Sequence, residues 1–134
     1  MNLGSTHKQL LSDLYWLLDA SDHFSTPYRN CRYVSYEKDN GEKVEMTNNR
    51  EEESRLKELH QDSFKICGEI DVHRFIDDIL EIYEVKGSSR GNSKGKRQLK
   101  RAEKYLGQLY PEYKTKLYLV YYNEKGEEII RLVE

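Results

Sequence analysis

Cysteine and proline are scarce in this sequence, with two of each among 134 residues. Cys31 and Cys67 lie far apart and form no Cys-x-x-Cys pair. That excludes a disulfide framework and a zinc ribbon, and a reducing, cytoplasmic setting is the expectation. Long hydrophobic runs are missing too. The longest nearly apolar stretch, residues 10–18, is broken by Ser12 and Asp13, too short and too polar to span a membrane. The first five residues carry no basic region, apolar core or small-residue cleavage site, so no secretory signal is expected there. Nor is there an excess of one charge. Lys and Arg number 22 against 24 Asp and Glu, a net charge of -2, which excludes a uniformly basic DNA-coating protein. The length suits one domain spanning 1–134, large enough to bury a core without staples.

What is present is a clear succession of periodic segments. Leucines and Tyr15 recur at helical spacing over 6–20, and Pro27 marks a loop over 21–30. Segments 31–36 and 42–47 flank Asp39-Asn40-Gly41, a hairpin signal. Asn48-Asn49 announces a helix over 50–61. Residues 64–76 and 79–86 read as strands around Asp77-Asp78, and 87–95, rich in Gly and Ser, as a loop. A helix over 96–110 carries Leu99, Ala102, Leu106 and Leu109 in one stripe and stops at Pro111; strands follow at 116–122 and 127–133. The order predicts one mixed α/β domain, a mostly antiparallel central sheet flanked by helices.

Chemistry concentrates in Gly68-Glu69-Ile70-Asp71-Val72 and Ile82-Tyr83-Glu84-Val85-Lys86. With Asp77-Asp78 as a two-residue turn, Ile76 faces Ile79, Asp71 falls opposite Glu84, and Glu69 falls opposite Lys86. Such partners share a face, with Cβ atoms about 5 Å apart. The other face then carries Ile70, Val72, Ile76, Ile79, Tyr83 and Val85. Facing carboxylates repel unless a cation lies between them, and Mg²⁺ or Mn²⁺ suits two carboxylates plus water and phosphate oxygens. A metal held there can activate water, and Lys86 can orient the nucleophile or stabilise developing negative charge. This is equipment for phosphodiester hydrolysis.

Asp71, then Glu84-Val85-Lys86 on the next strand, then a Gln-bearing basic helix, resembles the PD-(D/E)xK nuclease superfamily over about residues 50–122. That superfamily includes Holliday-junction resolvases, restriction endonucleases and RecB-like nucleases. The resemblance implies an αβββαβ core, with the helix and hairpin of residues 1–47 as an elaboration. It implies Asp71 and Glu84 as catalytic metal ligands, Lys86 as the catalytic lysine, the Val85 carbonyl as a further ligand, and Gln98 at the substrate. Ile70, rather than proline, precedes Asp71, and Ala102 stands where RecB-like members have tyrosine. Small members often work as dimers, so a homodimer is an implied partner alongside DNA.

The superfamily usually adds a Glu from its first core helix. Assigning that role to the 50–61 helix, which runs back antiparallel to the Asp71 strand, brings its first turn nearest to Asp71. Glu52 is in line with Leu56 and Leu59 and is the expected third metal ligand, with Glu53 next and His60 an alternative.

Charge is divided along the chain. Residues 51–84 hold 11 acids and 4 bases, residues 86–104 hold 8 bases and 1 acid, and the two cancel in the net charge. The basic set includes Arg90, Lys94, Lys96, Arg97, Lys100 and Arg101, expected with Gln98 to contact nucleic acid. The expectation is a Mg²⁺-dependent deoxyribonuclease, more an endonuclease than an exonuclease. The rival is an inactive protein of the same fold that binds nucleic acid or a protein partner.

Overall fold

The computed structural model describes residues 3–21, 27–86 and 92–133. Its elements follow the sequence pattern closely: α1 (Leu3–Ser21), β1 (Tyr28–Lys38), β2 (Gly41–Thr47), α2 (Arg50–Leu59), β3 (Lys65–Ile76), β4 (Ile79–Val85), α3 (Asn92–Leu109), β5 (Lys114–Tyr122) and β6 (Glu128–Val133). Local chemistry accounts for the boundaries. Asp39 and Asn40 both take positive φ, 54° and 65°, the pair that a two-residue type I′ turn requires between β1 and β2. The Asn49 side chain caps α2 by accepting from the backbone N–H groups of Glu51 and Glu52. Helix α3 starts four residues earlier than the sequence suggests, at Asn92, because Gly95 is needed for packing rather than for a turn.

The six strands form one mixed sheet in the order β2-β1-β3-β4-β5-β6, antiparallel except for the β4–β5 pair. That parallel pair is joined through α3, since a parallel connection needs a crossover. Helix α1 lays Leu10, Leu14 and Leu18 on Val72, Tyr83, Val85 and Val120. Helix α3 lays Leu99, Ala102 and Leu106 on the opposite face, against Ile70, Leu80, Ile82, Leu117 and Leu119. Helix α2 packs Leu56 on Val34 and Tyr36, on the α1 side of the sheet, since Tyr33 faces α3. Among the described residues no helix is long and apolar enough to cross a membrane.

Helix α1 and strand β1 are integral to this architecture instead of decorating it, and β2 forms one edge of the sheet. Strand β1 is an interior strand between β2 and β3, and α1 covers β3, β4 and β5. A buried ion pair fastens α1 in place. Arg74 Nη2 lies 2.6 Å from Glu81 Oε1, and Arg74 Nη1 donates to the Leu18 carbonyl (3.2 Å) and to Ser21 Oγ (3.0 Å). Tyr83 OH donates to the same Glu81 oxygen. The Leu18 carbonyl, in the last turn of α1, is thereby satisfied by a strand residue.

Candidate active site

The β3–β4 hairpin turns at Asp77-Asp78 and pairs Ile76↔Ile79, Phe75↔Leu80, Arg74↔Glu81, His73↔Ile82 and Val72↔Tyr83, the register expected from a two-residue turn. Pairing stops there. At the next rung Asp71 does not sit in a regular ladder with Glu84; its Oδ2 accepts from the Val85 N–H at 2.8 Å. The expected Glu69–Lys86 rung does not form either. Glu69 pairs with Arg32 of β1, and the Lys86 N–H donates to the Val120 carbonyl of β5. The strands part at Asp71, and the alternation of β3 changes with them. Ile70, expected beside Val72, lies with Ile82 and Leu99 on the α3 face. The rung where this happens carries Asn30 of β1, with φ at 54°, bracketed by Arg29↔Val72 and Cys31↔Ile70.

In the mouth left by the parting strands, Asp71, Glu84 and Lys86 come together. Lys86 Nζ lies 3.3 Å from Glu84 Oε1, and Glu84 is only 7% exposed. Burial first, and then the facing Asp71 charge, push the Glu84 carboxyl from 4.5 up to about 8, while Lys86 pulls it down. Gly95 of α3 admits Lys86 to this position, because a Cβ there would stand 3.4 Å from Lys86 Cε and 2.5 Å from Leu119 Cδ2. The first turn of α3 thus rests directly on the lysine.

A residue without a sequence signal joins this group. His7 of α1 places Nε2 3.6 Å from Asp71 Oδ2. Contact with the Asp71 carboxylate raises the imidazole above its ordinary 6.5, against the opposing effect of burial. The helix that overhangs the two carboxylates is therefore α1, not α2. Nothing near His7 in the sequence announces this; it follows from the α1 leucines docking on β3, β4 and β5.

Glu52 is not brought to the pair. Among the described residues no group of three His, Cys, Asp or Glu side chains converges to hold a metal. The first turn of α2 reaches the Arg32–Glu69 rung, where Glu53 binds Arg32 Nη1 at 3.0 Å, two residues short of Asp71 along β3. His60 caps the far end of α2 and stacks on Tyr36 at 4.0 Å. His73, buried behind the hairpin between Tyr28 and Phe75, is pushed down to about 4 by burial and packs as a neutral aromatic.

Of the basic set, Lys94, Arg97, Lys100 and Arg101 are exposed on α3 and Lys96 is half-buried; Arg90 lies outside the described residues. Gln98 is half-buried, and its Oε1 has no hydrogen-bond partner among the described residues. Comparison of the chain with protein-family models, curated proteins and solved structures finds no match.

Proposed function

We propose that the chain is a metal-dependent nuclease of the PD-(D/E)xK type that hydrolyses DNA phosphodiester bonds. The observation that carries this reading is the buried juxtaposition of Asp71, Glu84 and Lys86 where β3 and β4 part. Two carboxylates held this close, one of them pushed up to about 8, form a donor set whose repulsion a divalent cation would relieve. Asp71 and Glu84 would hold Mg²⁺ or Mn²⁺, with the Val85 carbonyl beside them. The bound ion would supply an activated water and charge neutralisation at the phosphate.

The chain's own groups do the rest. The Val85 N–H fixes the Asp71 carboxylate through its Oδ2. Once Glu84 is ionised, Lys86 is held by it at the edge of the site, where its ammonium can orient a nucleophile or meet developing negative charge. His7 stands on the opposite side of Asp71, where it can donate to the carboxylate or to a substrate oxygen. Exposed cations on α3 offer phosphate contacts at the rim, and the two buried free cysteines suit a cytoplasmic setting.

The absence of a third converging acidic ligand among the described residues favours one second reading, a nuclease-like fold that binds nucleic acid without cutting it. One experiment separates the two. Plasmid and branched DNA are incubated with Mg²⁺ or Mn²⁺ and the wild-type chain, Asp71→Ala or Lys86→Ala. The nuclease reading expects metal-dependent nicking that both substitutions reduce at least a hundredfold. Wild-type cleavage by both variants refutes the site, and binding without cleavage under either metal establishes the second reading.

A further inference from the structure

On the α1 and α2 side of the sheet, a cleft of about 450 Å³ runs between α2 and the start of β3. Arg32, Arg50, Lys57 and Lys65 line it, with Phe64 and Ile66 among them, and Glu53 is its single acid. Glu53 is already committed to Arg32, so three cations face the cleft without a carboxylate of its own lining. Ile66 is half exposed, an apolar residue beside Lys65 on β3. A second depression of about 220 Å³ shares Arg32, Arg50 and Glu53 with the cleft and continues it to Asn30, Thr47 and Glu69. Thr47 is buried, and its hydroxyl has no hydrogen-bond partner among the described residues. Asn30 stands on the rung of Asp71. The two depressions therefore form one track along β1 and β3 that ends at Asn30 and Glu69, two residues short of Asp71, with Ile66 and Asp71 about 17 Å apart at strand rise.

Duplex DNA presents a phosphate ridge and keeps its bases stacked inside, so it has no use for an aromatic and an aliphatic side chain within a concave basic lining. Unpaired nucleotides do, since their phosphates meet cations while their bases seek apolar and aromatic surfaces. We infer that this cleft holds unpaired nucleotides of the strand whose scissile phosphate lies at Asp71 and Glu84, making the substrate one with a single-stranded segment, such as a flap, fork or open end. The inference rests on the nuclease reading for its location and on the cleft for its specificity.

The test measures binding and cleavage separately on the full chain. Without divalent metal, a labelled oligothymidylate and a blunt duplex of equal length are titrated with wild type, Lys57→Glu/Lys65→Glu and Phe64→Leu. Both lysines are exposed, and leucine keeps the packing of Phe64 while removing its ring. The expected result is tighter binding of the single strand than of the duplex. The lysine reversal should weaken the single strand at least tenfold and flatten its salt dependence by about 1.4 units of slope, about 0.7 for each lost phosphate contact. Phe64→Leu should weaken it about threefold or more with the salt slope unchanged. Unchanged binding by the lysine variant, equal affinity for duplex, or competition by polyglutamate as strong as by unlabelled oligothymidylate would overturn the assignment. If wild type cuts nothing but the lysine variant loses single-strand binding, the nuclease reading fails and the cleft stands. If Asp71-dependent cleavage of a flapped duplex is untouched by the lysine reversal, the cleft fails and the nuclease reading stands.

Discussion

Asp71 is bonded to the backbone N–H of Val85 at 2.8 Å, although the residue across from it in a continued ladder is Glu84. The carboxylate replaces the strand's carbonyl partner and props β3 and β4 apart. Glu84 is left inside the opening with Lys86, under the first turn of α3 on one side and His7 on the other. A ladder continued by one rung would have sealed this space with backbone hydrogen bonds.

The protonation of Glu84 makes metal-free stability depend on pH. Its folded value is raised from 4.5 to about 8, so the folded state binds the extra proton between those values. The stabilisation is complete below the unfolded value and is lost as pH rises through the folded one. His7, also raised, acts in the same direction. Melting temperature without divalent ions should fall as pH rises from about 4.5 to about 8 and level off above that, and Glu84→Gln should flatten the fall. Mg²⁺ should protect the wild type most at the alkaline end and leave Glu84→Gln unmoved. Parallel slopes for the two proteins would refute the assignment.

On the proposed nuclease reading, His7→Ala should reduce metal-dependent cleavage by about 10- to 100-fold, the usual cost of losing a group that orients a carboxylate at a metal. The far-UV circular dichroism should not change, because His7 is partly exposed and forms no part of the leucine stripe of α1. Full activity in this variant would make the contact with Asp71 incidental.

Gly95→Ala should destabilise the protein by about 1–3 kcal/mol in denaturant titrations, despite the better helix propensity of alanine. The added methyl meets Leu119, which is fully buried, and presses on the Lys86 chain. Cleavage should fall together with stability as Lys86 is displaced. A variant as stable as wild type would show that α3 does not sit so close to the sheet.

Arg74→Met leaves Glu81 buried without its cation and removes two donors from the end of α1. Removing one member of a buried pair costs about 3–5 kcal/mol. Amide exchange should accelerate first in the last turn of α1, around Leu18 and Ser21. Uniform acceleration across the sheet would argue against a local clasp.

The sequence alone was enough to specify the nine elements of the described residues, their order and the hairpin register as far as Val72↔Tyr83. Those rest on local periodicity, on turn residues such as Asp39-Asn40 that accept positive φ, and on the spacing of Ile76 from Ile79 across two aspartates. It also singled out Asp71, Glu84 and Lys86, because residues two apart on one strand and facing across a short turn stay close however the sheet is assembled. The tertiary structure alone decided what surrounds them. It put α1 over the parting strands and α2 two residues short, so that His7 and not Glu52 reaches Asp71. It broke the ladder one rung before Glu84 and turned Ile70 to the other face. It also built a basic cleft from Arg32, Arg50, Lys57 and Lys65, which no stretch of sequence presents as a patch. Docking of helices on sheet faces depends on long-range burial of Leu10, Leu14, Leu56 and Leu99, and apolar contact carries no label for its partner.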